Sequence, residues 1–210
     1  MGTGDETHAT MLEQSPIMPG GLPYGVIEFG GDVGENPLCR RTAHLVWDVI
    51  DDPVSIMEIG SGGGRWTRFL HQFASDLLCV DATPAMIRHV EALGLTNPKP
   101  EFHLNTTPTL TGRYFDLVFS YDTLVHFDED LFRRYLNVIC LSVNPGAVVI
   151  IHHGSNEHKK PDQPTDHSGC WHCCGSDEVD SVFINSGARK VSEFFADSGF
   201  GSRVVCYKFG

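Results

Sequence analysis

No apolar run in this 210-residue chain approaches the roughly 18 residues that a membrane-crossing helix needs. No membrane partner is therefore expected. Basic side chains are also scarce: 15 Lys and Arg face 27 Asp and Glu, for a formal net charge of −12. Such a surface repels phosphate backbones, and Arg133-Arg134 and Lys159-Lys160 are only pairs, so no nucleic-acid partner is expected either. No internal repeat is present, and the polar, acidic stretch from Met1 to Gln14 lacks the apolar core of a secretory signal. Seven cysteines, an odd number with Cys79, Cys140 and Cys206 inside apolar runs, argue for reduced thiols in a cytoplasmic setting. A hydrophobic content of 41% and a charged content of 20% fit one ordinary soluble domain.

Two nucleotide signatures are missing as well. The dinucleotide pattern G-x-G-x-x-G, started at Gly60, finds Arg65 in place of its third glycine; started at Gly62, it finds Thr67. No Gly-Lys-Ser/Thr follows, so the phosphate-cradling P-loop is excluded too. What is there is Ser55-Ile56-Met57-Glu58-Ile59-Gly60-Ser61-Gly62-Gly63-Gly64-Arg65-Trp66. This reads as a short buried strand, a glycine hinge and a helix start, with Trp66, Phe69, Leu70 and Phe73 forming one apolar stripe. Glycines at alternate positions let the backbone turn sharply and approach a ligand closely. The acid before them, Glu58, suits a nucleoside ligand more than a free phosphate.

The next segment supports a nucleoside. Leu77-Leu78-Cys79-Val80 is an apolar run ending in Asp81, 23 residues after Glu58. Thr83 and Pro84 then open a helix whose face is Ile87, Val90 and Leu93, and Gly94 stops it. An acid at the end of a second strand is placed to accept ribose hydroxyls, although Asp81 can also serve as a helix-start residue.

Strands at Val54–Met57, Leu77–Val80, Glu101–Leu104, Phe115–Phe119 and Ala147–Ile151 alternate with helices beginning near Arg65, Pro84 and Asp128. A further helix is predicted from Pro37 through Ile50, with Leu45, Val46 and Val49 inward. Asn144-Pro145-Gly146 reads as a turn before the fifth strand. The expected architecture is α/β, a doubly wound and mostly parallel sheet in a single domain spanning residues 36–210, with ligands at the carboxyl ends of its strands. Residues 1–35, rich in Gly and Pro, read as an arm or lid.

Glu58-x-Gly60-x-Gly62-x-Gly64 resembles the first motif of class I S-adenosylmethionine-dependent methyltransferases. Gly64-Arg65-Trp66-Thr67, Phe102-His103-Leu104-Asn105, Phe119-Ser120-Tyr121-Asp122 with Val125-His126, and Ile151-His152-His153-x-Ser155-Asn156 narrow the likeness to a bacterial-type group associated with sugars and other small hydroxylated metabolites. The resemblance covers about residues 37 to 200. It implies a Rossmann-like fold, S-adenosylmethionine as cofactor and a small-molecule acceptor, most simply a hydroxyl. Glu58 is then expected beneath the methionine end of the cofactor, Gly60, Ser61, Gly62, Gly64 and Trp66 around it, and Asp81, Ala82 and Met86 at its nucleoside. Asn105 and Thr106 are expected near the adenine, with Ser120 and Tyr121 beside the methionine part.

Methyl transfer to a hydroxyl needs an aligned nucleophile and a destination for its proton. Histidine titrates near neutral pH, which makes His126, His152 and His153 the candidate bases, with Asp122 able to hold a base or the cofactor. Each histidine can instead be a hydrogen-bonded structural residue. Three readings stay open beside this one: an N-methyltransferase of a small amine, a non-catalytic cofactor-binding subunit, and a metal-binding interaction module built on the Cys170–Cys174 segment. A homodimer is an open assembly state.

Residues 152–180 read as a substrate-facing insertion loop. Within it Cys170-Trp171-His172-Cys173 has zinc-knuckle spacing, but no matching second knuckle follows, so no metal is expected. Finally, Ser186 is expected to start a helix carrying Val191, Phe194 and Phe195 and closing near Gly199, followed by a strand over Arg203–Phe209. Sheets of this family usually end in two antiparallel strands. Either Val182-Phe183-Ile184 supplies the second, or the sheet is shorter.

Overall fold

The computed structural model of the chain describes residue 33 and residues 37–155, 175–195 and 201–210. Helix α1 (Pro37–Val49) begins on a proline, whose missing N–H costs nothing at a first helical position, and buries Cys39, Thr42, Ala43, Leu45 and Val46 along one stripe. Strand β1 (Val54–Ile59) leads through the glycines into α2 (Arg65–Leu70), a short 3-10 turn and β2 (Ala74–Asp81). Helix α3 (Pro84–Glu91) connects to β3 (Glu101–Leu104), and β4 (Phe115–Ser120) is followed by α4 (Glu129–Cys140). Asp128 caps α4, its carboxylate accepting the Leu131 N–H at 2.8 Å. The remainder is β5 (Val143–Gly154), α5 (Ser176–Asn185), β6 (Ala188–Phe195) and β7 (Ser202–Phe209).

The seven strands form one sheet in the order β3-β2-β1-β4-β5-β7-β6. Strands β1 to β5 run parallel, while β7 pairs antiparallel with both β5 and β6. The central strands are buried on both faces, so they read as continuous apolar runs. Met57, Val118, Val149 and Ile151 face α4 and α5, packed with Phe132, Tyr135, Ile139 and Phe183. Their neighbours Ile56, Leu117 and Ile150 face α1 and α2, packed with Val46, Trp66 and Leu70. The chain leaves β1 toward β2 on one side and returns to β4 on the other, so the crevice between their carboxyl ends is the topological switch point.

Two expectations need correction. The helix predicted from Ser186 is strand β6, and Val182-Phe183-Ile184 lies inside α5, so the sheet does end in two antiparallel strands. Helix α5 stops where Gly187 adopts φ 93°, its N–H bonded to the Ile184 carbonyl. Strand β6 is an edge strand with exposed Arg189 and Lys190, and a register shift between Lys190 and Ser192 leaves Val191 outside. That shift breaks the two-residue alternation that would have revealed a strand. Similarly, Asn144-Pro145-Gly146 is not a turn ahead of the fifth strand but an irregularity within β5. Phe115 pairs with Val143 and Leu117 with Val148, and Gly146 takes φ 82°.

The antiparallel end is held by an ionic cluster around one buried cation. Arg203, with its side chain fully buried, donates to Asp180 of α5 at 2.7 Å and to Glu193 of β6, and Lys190 bridges the same two acids. Tyr207 adds a hydroxyl bond to Asp180. Among the described residues no helix is long and apolar enough to cross a membrane. Of the expected arm at residues 1–35, only Val33 is described. The Cys170–Cys174 segment, and most of the expected insertion loop, also lie outside the described residues.

Candidate functional site

At the carboxyl end of β1 the backbone turns at once. Gly60, Gly62 and Gly64 have φ of 79°, 49° and 82°, values that side-chain-bearing residues rarely adopt. At Gly60 the requirement is also steric, because a Cβ there would lie 1.9 Å from the Thr123 Oγ1. The loop after β4 therefore sits directly on the loop after β1. Ser120 reinforces the junction, its hydroxyl donating to the Ile59 carbonyl at 3.0 Å.

Asp81 organises the other flank. Its Oδ2 accepts the Gly62 N–H at 3.0 Å and the Ser61 hydroxyl at 3.3 Å, and its Oδ1 accepts the Thr83 N–H at 2.8 Å. Burial raises its pKa, while those hydrogen bonds pull the other way. Asp81 lines the cleft beside these donors, where a ligand hydroxyl can share its acceptor oxygens.

Glu58 lies one layer below. Its Oε2 accepts the Thr67 hydroxyl at 2.6 Å and the Cys79 thiol at 3.6 Å, and its buried Oε1 has no hydrogen-bond partner. Burial pushes its pKa up to about 8; the Thr67 and Cys79 hydrogen bonds oppose this, and the Asp81 charge adds to it. Glu58 is thus mostly a neutral acid at pH 7. It joins β1 to α2 from beneath.

These elements enclose a cleft with about 860 Å³ of free space, counting its open mouth. Of the residues expected at a cofactor, Gly60, Ser61, Gly62, Trp66, Asp81, Ala82, Met86 and Tyr121 line it. Glu58, Gly64, Asn105, Thr106 and Ser120 do not. Asn105 is buried, its Oδ1 accepting the Thr107 N–H at 3.2 Å, and Thr106 is exposed.

Among the expected proton-handling groups, Asp122 and His126 line the cleft. His152 and His153 do not. Consecutive residues of a strand point to opposite faces, so the two diverge. The His153 ring packs near Phe132, its Nδ1 bonded to the Gly154 carbonyl at 2.6 Å. His152 lies beside Tyr121, ring centroids 4.6 Å apart, and its Nδ1 accepts the Asp122 backbone N–H at 3.1 Å. Burial, then the nearby His153 and His126, pulls the His152 pKa down to about 3.

Arg65, Thr123, Phe127 and Tyr135 also line the cleft and were absent from the expected set. Arg65 directly follows the glycines and Thr123 follows Asp122, so adjacency was an available signal. Tyr135 had none, being one more apolar position on the α4 stripe. Among the described residues, no group of three or more His, Cys, Asp or Glu is gathered to hold a metal ion.

Residues 56–146 match the family model described as a methyltransferase domain. Comparison with proteins of curated function finds no match. Solved structures share the fold. The N-methyltransferase NodS from Bradyrhizobium japonicum WM9, in complex with S-adenosyl-L-homocysteine, superposes with a TM-score of 0.70 at 13% identity, covering 98% of both chains. Magnesium protoporphyrin IX methyltransferase from Synechocystis PCC 6803, with bound S-adenosylmethionine, gives 0.70 at 13% identity, covering 99% of this chain and 97% of that one. The [4+2]-cyclase SpnF gives 0.64 at 12% identity, covering 81% and 80%.

Proposed function

We propose that this chain, whose residues 56–146 match a methyltransferase-domain model, is a class I S-adenosylmethionine-dependent methyltransferase that moves the methyl group of S-adenosylmethionine onto a hydroxyl of a small acceptor, with His126 taking the proton. The observation that carries the reading is the shared cleft: the glycine loop, Asp81 and His126 all line one space at the switch point of the sheet. The donor set fits the cofactor. Asp81 stands at the cleft where ribose hydroxyls can share its acceptor oxygens, and the glycine backbone presents no side chain to a close ligand. Trp66 and Tyr121, their rings 5.0 Å apart, give that wall an aromatic surface.

When bound, the cofactor supplies an electrophilic methyl on a sulfonium, which needs no Lewis acid to be transferred. The chain's own residues then have two tasks: to align the acceptor oxygen, and to remove its proton as the new C–O bond forms. The imidazole of His126 suits the second task, and the Asp122 carboxylate in the same cleft can orient the acceptor or the base. Glu58, neutral and buried, supports the loop from below.

A nitrogen acceptor is the second reading. The Asp122 carboxylate would hold a cationic amine, and NodS, with the same fold, is an N-methyltransferase. A non-catalytic binding subunit is the third, since fold alone does not fix function; SpnF, on this fold, is a [4+2]-cyclase. Incubation with methyl-labelled S-adenosylmethionine and an extract of small metabolites separates them. Labelled ether product from the wild type, lost in His126→Gln while S-adenosylhomocysteine still binds, supports the first reading. Labelled amine supports the second. No labelled product from the wild type would refute both.

A further inference from the structure

The turn that follows β4 is in an unusual conformation. Asp122 adopts φ 58°, in the left-handed region that favours glycine. The turn nevertheless carries Tyr121, Asp122 and Thr123 into the wall of the cleft. The Asp122 N–H meets the Nδ1 of His152, a residue that comes from the neighbouring strand β5 and is 3% exposed. The Tyr121 ring lies over the same imidazole.

The chemistry of that bond assigns the ring's protons. A backbone N–H only donates, so Nδ1 must carry its lone pair. A neutral imidazole has one such nitrogen, and its proton is then on Nε2. The lone pair of His152 is therefore already engaged, and the other nitrogen has no lone pair to offer to a substrate proton. We propose that His152 is a positioning residue: it accepts the Asp122 backbone N–H on Nδ1 and so holds the Tyr121–Thr123 turn in its cleft-lining conformation, rather than serving as a base. Among the described residues, the groups facing it include Tyr121, Asp122, His126 and His153. Burial, then the neighbouring His153 and His126, favours the same neutral form.

The effect on ligand binding rests on the cofactor reading above, but the bond itself does not. Two measurements keep them apart. In the full-length protein, ¹⁵N NMR of the His152 ring is expected to show an unprotonated, hydrogen-bond-accepting Nδ1 and a protonated Nε2, unchanged from roughly pH 5 to pH 8. A protonated Nδ1 would overturn the proposal. The second measurement is calorimetric titration of S-adenosylhomocysteine into side-chain variants. In His152→Asn the Oδ1 stands two bonds from Cβ, where Nδ1 stood, and keeps the acceptor. In His152→Gln the oxygen is one bond further, at the place of Nε2, and His152→Leu has no acceptor.

The expected result is near-wild-type affinity for His152→Asn and about tenfold weaker binding for both His152→Gln and His152→Leu, as when a buried N–H loses its partner. Equal weakening in all three variants, or equal retention in all three, would overturn the proposal. Should His152→Leu fail to fold, the Asn and Gln pair and the NMR spectrum decide the matter. Failure of the wild type to bind S-adenosylhomocysteine would refute the cofactor reading, and the ring spectrum would still test the turn.

Discussion

Glu58→Gln should make this protein more stable, and by an amount that grows with pH. In the folded state the Glu58 carboxyl is 1% exposed, has an unpartnered Oε1 and titrates at about 8, against 4.5 for an ordinary glutamate. Between those values the native state binds a proton that the unfolded chain has released. Stability therefore falls as pH rises through that window, at up to about 1.4 kcal/mol per pH unit, and levels off above the folded pKa. Integrated over the window, the penalty is on the order of 5 kcal/mol. Glutamine mimics the protonated acid and pays none of it. His152 acts in the opposite sense: held neutral with a pKa of about 3, it contributes stability that is present above its unfolded pKa near 6.5 and is lost as pH falls. The two trends offset in the wild type at mildly acidic pH, so the informative quantity is the difference between variant and wild type. Urea unfolding should show that difference near zero around pH 4.5, increasing to several kcal/mol by pH 9, or roughly 10 °C in melting temperature for a chain of this size. A difference that is constant across pH, or a variant less stable than the wild type at pH 9, would refute the reasoning.

Gly60→Ala combines a φ of 79° with a Cβ 1.9 Å from Thr123 Oγ1, so it should cost at least about 2 kcal/mol and weaken S-adenosylhomocysteine binding more than tenfold. Thermal melts and calorimetry on one preparation check both effects. Arg203→Met removes the buried cation shared by Asp180 and Glu193, but Lys190 still bridges both part-exposed acids, so the urea-unfolding free energy should fall by only about 1–3 kcal/mol. His126→Gln should abolish transfer to a hydroxyl while changing S-adenosylhomocysteine affinity less than threefold, since the same residue is asked to remove a proton and not to hold the cofactor.

The parts of the fold that sequence reveals are those where one physical signal dominates. Buried parallel strands, such as Leu77–Val80 and Phe115–Phe119, stand out as apolar runs because both of their faces are covered. Helix starts at Pro37, Pro84 and Asp128 carry their own punctuation. Strand β6 carries no such signal. It lies at the edge, its polar residues face water, and the irregularity after Lys190 shifts its pattern so that Val191, Phe194 and Phe195 mimic a helical stripe. The site divides along the same line. The glycines and Asp81 are legible because backbone conformation and strand-end position constrain residue type locally. Which histidine faces the cleft depends on the pleat of β5 and on the bond from Asp122, and neither can be read from spacing alone. Tyr135 reaches the cleft only through the packing of α4 against the sheet.

The central claim is that the glycine loop and Asp81 form the binding site for the methyl donor. Calorimetric titration of S-adenosylhomocysteine into the wild type and into Asp81→Ala tests it most directly. The account predicts one-to-one binding by the wild type and a loss of roughly 30-fold or more in the variant, from removal of charge-assisted hydrogen bonds worth about 2 kcal/mol or more. Absence of binding by the wild type, or undiminished affinity in Asp81→Ala, would contradict it.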